Sequence, residues 1–184
     1  YGVYRLLAPL VAPIFADYIN AIGSGSALPP IGFNDSLLHS IPKKDSGYVK
    51  DTRPISVPNA SNRIISIFLS QQLALGAKDF LHPAQKAGLP GKSISENIHN
   101  INSWVCRKSA RRVPGYLILS DFTKAFDSLS HDYLLQILEV LGYPQFHQNL
   151  LKALLDGVKA FPVVQGRVFE PPVEVVRGVK QGDP

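Results

Sequence analysis

Tyr116-Leu117-Ile118-Leu119-Ser120-Asp121-Phe122-Thr123-Lys124-Ala125-Phe126-Asp127 runs from four consecutive apolar residues straight into a pair of carboxylates. An apolar run with no alternation predicts a short strand buried on both faces. Asp121 falls just past the end of that run. A buried strand with a carboxylate at its C-terminal end is one way a protein presents an oxygen ligand to a hard cation such as magnesium. Taken alone, an aspartate after a strand and another before a helix are usually turn and cap residues.

Before this segment, Ser93 and Glu96 have capping-box spacing, and Ile94, Ile98, Ile101 and Val105 predict a helix that ends in the basic run Arg107, Lys108, Arg111 and Arg112. Val113-Pro114-Gly115 breaks it. Further upstream, residues 37–41 and 54–57 read as two strands joined by the basic turn 43–48, a basic-tipped hairpin. Asn59 or Ser61 can cap a following helix with an apolar face of Ile64, Ile65, Phe68, Leu69 and Leu75, and a Pro/Gly-rich loop over 82–91 comes next. Leu6, Leu10, Ile14 and Tyr18 recur every fourth residue and predict a core helix that ends at Gly23. Arg5, Pro9, Pro13, Asp17 and Asn20 disqualify the same stretch as a membrane span.

After the segment, Ser130 can cap a helix carrying Leu134, Leu135, Ile137, Leu138 and Leu141, which Gly142 and Pro144 end. Leu150, Leu151, Leu154 and Leu155 mark another helix. Residues 161–165, Gly166-Arg167 and residues 168–176 then read as a hairpin. The fold class expected is α+β, without internal repeats.

Composition narrows the function. Of 184 residues, 45% are hydrophobic, enough for a real core, and Lys+Arg 19 against Asp+Glu 14 leaves +5, which favours an anionic partner such as nucleic acid. A lone cysteine, Cys106, excludes a disulfide scaffold and a cysteine-rich zinc site, and fits a reducing compartment. The five histidines, His39, His82, His99, His131 and His147, share no metal-ligand spacing. Gly91-Lys92-Ser93 resembles the end of a phosphate-binding loop, but Lys86 stands where its first glycine belongs, so the motif fails. Gly23-Ser24-Gly25 likewise misses the nucleophile elbow, and Asn34-Asp35-Ser36 and Asn59-Ala60-Ser61 match glycosylation acceptors only by chance. With Met 0, a start at Tyr1-Gly2-Val3 and a stop on the turn signal Gln181-Gly182-Asp183-Pro184, the chain is expected to be a fragment.

Five segments occur in a telling order: Ile41-Pro42-Lys43-Lys44, Arg53-Pro54-Ile55-Ser56, Gln85-Lys86-Ala87-Gly88, the stretch from Asp121 to Asp127 with the following His131, and Gly178-Val179-Lys180-Gln181-Gly182-Asp183-Pro184. Together they resemble the reverse transcriptase domain of non-LTR (LINE-like) retrotransposons, from about residue 28 to residue 184. Leu89, Lys92 and Glu96 are mild departures, standing where phenylalanine, arginine and aspartate are common. The resemblance implies a right-hand polymerase fold, incomplete here. Residues 1–112 would be a fingers portion, and 113–184 the start of the palm, ending before the second catalytic motif.

The same resemblance implies the site. Asp121 would be the catalytic carboxylate that binds two Mg2+ ions, helped by the backbone carbonyl of Phe122. Phe126 would exclude a ribose 2′-hydroxyl, with a core aromatic as the plainer alternative, while the backbone amides of Ala125 and Phe126 meet the triphosphate. Lys43 and Arg53 would clamp that triphosphate, with Lys44 an alternative to Lys43. Gln181 would contact the nucleotide sugar, Gly182 would leave room for it, and Asp127 would be structural. Arg107, Lys108, Arg111 and Arg112 would grip template phosphates or form a solvated helix end. The implied partners are an RNA template, a DNA primer, a dNTP and the remaining palm and thumb, with no membrane, and nuclear action on target DNA is expected. One carboxylate cannot hold two ions, so the 184-residue chain alone is expected not to polymerise. The alternative is a non-catalytic relic or a co-opted nucleic-acid-binding module.

Overall fold

The computed structural model describes residues 2–45, 48, 51–77, 79–89 and 91–182. Ser46 and Gly47 of the basic turn, Pro90 of the Pro/Gly-rich loop, and Asp183-Pro184 therefore lie outside the described residues. The chain forms two compact units, one from residues 1–70 with 124–184, the other from residues 71–123.

In the first unit, β1 (Ser36–Pro42) and β2 (Thr52–Pro58) form the expected antiparallel hairpin, in register from Ser36 opposite Pro58 to Pro42 opposite Thr52. β3 (Lys159–Val164) runs parallel to β1, with Ser36 opposite Ala160. Parallel neighbours need a long crossover, and helices between the two strands supply it. Beyond β3 the chain reverses at Gln165-Gly166, where φ is +51° and +76°. Two successive positive φ values match the twist of a tight hairpin. The returning strand expected over 168–176 is broken into β4 (Arg167–Val168) and β5 (Val173–Glu174), both paired to β3. Pro171 and Pro172 lie between the two pieces, and proline supplies no N–H to a ladder. The sheet order is β2-β1-β3-β4, with β5 also on β3.

The helices of this unit are unevenly buried. α1 (Gly2–Leu6) and α2 (Ala8–Gly23) start the chain, yet Leu6, Leu10 and Ile14 are exposed, so the predicted core stripe is not a core face. Only the C-terminal turns of α2 are buried, at Ile19, Ile22 and Gly23. There they meet α6 (Gln145–Leu155), because the missing side chain of Gly23 admits the Phe146 ring. Asn149 Nδ2 also donates to the Gly23 carbonyl at 2.9 Å. α5 (His131–Val140) is capped by Ser130, whose Oγ accepts from the Tyr133 amide at 3.4 Å.

α3 (Ala60–Ala77) is capped by Asn59, whose Oδ1 accepts from Asn62 N at 2.7 Å. Its buried face differs from the apolar one expected. Ile65 and Leu69 are buried as predicted, but Asn62 and Ser66 share that face while Leu75 is exposed. Asn62 holds its place through hydrogen bonds described below.

In the second unit, α4 (Ile94–Ala110) begins at Ser93, whose Oγ accepts from Ser95 N at 3.2 Å. The capping box is not closed by Glu96; its carboxylate pairs instead with the Lys86 ammonium. No residue of α4 is buried, and Ile94, Ile98 and Val105 lie exposed. The largest correction falls on residues 116–119, predicted as a buried strand. They join no ladder among the described residues, and Tyr116, Ile118 and Leu119 are 92%, 87% and 80% exposed. An apolar run becomes a strand only where a neighbouring strand takes its N–H and C=O groups, and no strand lies among the described residues of 71–123.

Candidate functional site

Alternation along the β1–β2 hairpin decides which basic side chains share a face. Ile41 stands opposite Arg53, and the Lys43 amide donates to the Asp51 carbonyl at 2.7 Å, extending the same pairing one step. Side chains two apart on a strand, and those directly opposite, point to one face. Lys43 and Arg53 therefore lie on the same face near the hairpin tip, both exposed, and Lys44 follows the pairing without sharing that parity.

The segment around Gly178 links this hairpin to the turn that carries Phe126. Gly178 N donates to the Leu129 carbonyl at 2.7 Å, and Val179 N donates to the Phe126 carbonyl at 3.1 Å. The segment then reaches β2, the edge strand of the sheet, where Ser56 N donates to the Gln181 carbonyl at 3.0 Å. At Gly182, with φ +110°, a Cβ would stand 3.3 Å from the Ser56 carbonyl oxygen. Gln181 Oε1 is buried with no hydrogen-bond partner among the described residues. Leaving a buried acceptor unmet costs about 1–3 kcal/mol. Phe126 is 56% exposed. The Ala125 carbonyl accepts from Ser128 Oγ at 3.5 Å, closing the turn.

Two features of this region were given no contact by the sequence reading. His131 Nε2 donates to the Gly178 carbonyl at 2.7 Å, fixing the first turn of α5 to the same segment. Behind it lies an amide relay. Asn62 Nδ2 donates to Asn34 Oδ1 at 2.8 Å, and Asn34 Nδ2 donates to the Ala153 and Asp156 carbonyls at 2.8 and 2.6 Å. Lys180 Nζ reaches Asn62 Oδ1 at 3.5 Å. His131 was visible as part of the ordered motifs; the asparagines carried no signal, since their partners lie up to 122 residues away.

Asp121 and Phe122 belong to the second unit. Both are exposed and join no helix or ladder among the described residues. Arg107 and Lys108 lie in the last turn of α4, and Arg111 caps it. Val113 N donates to the Lys108 carbonyl and Arg112 N to that of Ser109, at 3.1 and 3.0 Å, with Arg112 at φ +53°. That is the two-bond helix stop in which the left-handed position usually holds glycine. Elsewhere in this unit, the hydrogen bond and then the charge of Lys86 hold the Glu96 carboxyl below the usual glutamate range, with Lys92 adding to the effect. Among the described residues, no three His, Cys, Asp or Glu side chains gather to hold a metal ion, and no helix is long and apolar enough to cross a membrane.

The structure thus brings Lys43, Arg53, Phe126, Gln181 and Gly182 into one unit, linked by β2 and the Gly178 segment, and carries Asp121, Phe122 and the basic helix end in the other. Comparison with known proteins matches residues 41–184 to the family described as reverse transcriptase (RNA-dependent DNA polymerase). The transposon TX1 uncharacterized 149 kDa protein of Xenopus laevis is 27% identical over 84% of this chain and 12% of its own length. The Pol polyprotein of the type-2 retrotransposable element R2DM of Drosophila melanogaster is 32% identical over 73% of the chain and 12% of its length. That of the type-1 element R2 of Popillia japonica is 29% identical over 72% and 18%. The chain therefore spans less than a fifth of each of these relatives, which carry the retroelement character expected from the ordered motifs. By the extent of that match, the chain belongs to the reverse transcriptase family.

Proposed function

We propose that this chain is the nucleotide- and template-handling part of an RNA-directed DNA polymerase of a non-LTR retrotransposon. In that protein, residues 1–112 serve as a fingers portion and 113–184 as the start of the palm. The observation that carries the reading is the arrangement around β2: Lys43 and Arg53 on one hairpin face, and Gln181 docked on the same strand with a buried, unmet acceptor. Two cations of this geometry suit a triphosphate, lysine as a point charge and arginine as a two-pronged donor. The Gln181 acceptor suits a sugar hydroxyl. The exposed Phe126 ring, five residues past Asp121, is available to block a 2′-hydroxyl.

Reverse transcriptases generally use divalent metal ions. Magnesium suits the Asp121 carboxylate and the Phe122 carbonyl, since it selects oxygen donors. A two-ion site needs more carboxylates than the described residues gather, so they do not by themselves fit that pair of ions. Our reading for this chain is accordingly binding and orientation: the hairpin neutralises the triphosphate, Gln181 and Phe126 read its sugar, and an RNA template with its DNA primer lies alongside.

The test is primer extension on an RNA template by the longer protein that contains this chain. Asp121→Ala should abolish extension, while Lys43→Ala and Arg53→Ala should each raise KM for the dNTP about tenfold, the worth of one charge-assisted contact. The 184-residue chain alone should give no extension. Full extension by Asp121→Ala would overturn the proposal. An inactive longer protein that still binds RNA would favour the second reading, a co-opted nucleic-acid-binding module.

A further inference from the structure

We propose that His131 is a positioning residue for sugar recognition, which acts through the backbone by locking the peptide unit that sets Phe126 and Gln181 relative to each other. The inference rests on the nucleotide-handling role argued above and deepens it. The observation is three hydrogen bonds that meet on successive backbone groups. Gly178 N donates to the Leu129 carbonyl at 2.7 Å, His131 Nε2 donates to the Gly178 carbonyl at 2.7 Å, and Val179 N donates to the Phe126 carbonyl at 3.1 Å. All of these residues lie in the first unit. Gly178 is buried, and a Cβ there would stand 2.8 Å from both Asp127 Cα and the Phe126 carbonyl oxygen, so the segment lies directly on the backbone of the Phe126 turn.

The carbonyl of Gly178 and the amide of Val179 belong to one planar peptide unit and point in opposite directions. His131 holds one end of that unit, and the Phe126 carbonyl holds the other. Glycine at 178, with φ +81°, imposes little resistance of its own to a rotation of this unit. A rotated unit would take Val179 N away from Phe126 and leave a buried carbonyl unmet. The His131 donor therefore opposes the one motion that glycine makes easy. The consequence reaches the nucleotide side directly. Gln181 is three residues from Gly178, at most about 10 Å of chain, and its own carbonyl is tied to Ser56 N at 3.0 Å, so a shift at Gly178 meets little slack before it moves Gln181. A purely architectural role for the ring is already filled. α5 has its cap in Ser130, whose Oγ accepts from the Tyr133 amide, so the helix starts without the His131 side chain.

The test is single-nucleotide primer extension by the longer protein that contains this chain, with template–primer and nucleotide concentrations varied separately. His131→Ala should raise KM for the dNTP, and lower the preference for deoxy- over ribonucleotide, by about three- to tenfold each, the worth of one hydrogen bond. KM for the template–primer should not change. His131→Gln, whose side-chain amide donates from about the reach of the ring Nε2, should recover most of both effects, while His131→Asn, one bond shorter, should behave as alanine does. In a Phe126→Ala background, His131→Ala should cost little further discrimination, because the ring it positions is gone. Amide exchange at Val179 in the 184-residue chain reads the clamp without any reaction: it should quicken in His131→Ala and His131→Asn and stay near the parental rate in His131→Gln. If alanine unfolds the chain, the glutamine and asparagine variants carry the same comparison. A glutamine variant as impaired as alanine, or one that fails to fold, would overturn the positioning role while leaving the polymerase reading intact. An equal rise in KM for the template–primer, or Val179 exchange that ignores His131, would do the same. A parent protein that extends no primer would overturn the polymerase reading itself, and the role with it.

Discussion

Replacing Asn62 by alanine should cost the first unit about 2–4 kcal/mol, for a reason found in the amide relay. Asn62 is fully buried, and its Nδ2 is the donor that satisfies Asn34 Oδ1, itself on a residue only 6% exposed. Truncation removes that hydrogen bond and the longer one from Lys180 Nζ, leaves the Asn34 acceptor dry, about 1–3 kcal/mol, and opens a small void besides. The Asn62 backbone amide keeps its bond to Asn59, so the helix cap survives. With a urea dependence of about 2 kcal/mol/M for a chain of this size, the midpoint should fall by about 1–2 M. Far-UV circular dichroism is the appropriate probe, because Trp104 lies in the other unit. Asn62→Leu separates the polar cause from packing: it refills the volume yet still orphans Asn34, so it should be no better than alanine. In a double-mutant cycle with Asn34→Ala, the coupling should reach about 1 kcal/mol. A leucine variant as stable as the parent, or strictly additive single variants, would refute the relay.

Other consequences follow from the same geometry. At Gly178, φ is +81° and a Cβ would stand 2.8 Å from Asp127 Cα, so Gly178→Ala should lower Tm by several degrees, whereas Gly142→Asn, at φ +73° in open space, should change it little. Arg112→Gly should stabilise the chain by up to about 1 kcal/mol by relieving the left-handed arginine, measured by urea denaturation. The Glu96 carboxyl should titrate below the usual glutamate range by NMR, and Lys86→Ala should return it upward. Because its folded value is the lower one, the pair's contribution is present at neutral pH and is lost as pH falls through that lowered value. In the longer protein, Phe126→Ala should raise ribonucleotide incorporation relative to deoxyribonucleotide about tenfold or more, read from products made with each substrate.

Local chemistry was legible in advance. The hairpin of β1 and β2 followed from two apolar runs around a basic turn, and the caps at Asn59, Ser93 and Ser130 from side-chain oxygens at helix starts. The motifs containing Lys43, Arg53 and Gln181 were visible as an ordered set, and the family match over residues 41–184 agrees with them. What failed were inferences from apolarity to burial. Leu6, Leu10 and Ile14 have helical spacing but are exposed, and residues 116–119 have strand composition without a ladder.

The sequence by itself determined where helices and turns begin and end and which residues carry charge, because caps, prolines and periodicity act over a few positions. Only the tertiary structure decided that Asn62 must donate to Asn34, that Lys43 shares a face with Arg53, that the Gly178 segment ties the Phe126 turn to β2, and that Trp104 closes on Gly115. Each of these depends on a partner brought close by folding, and burial or a hydrogen bond is a property of the pair, which neither residue carries alone.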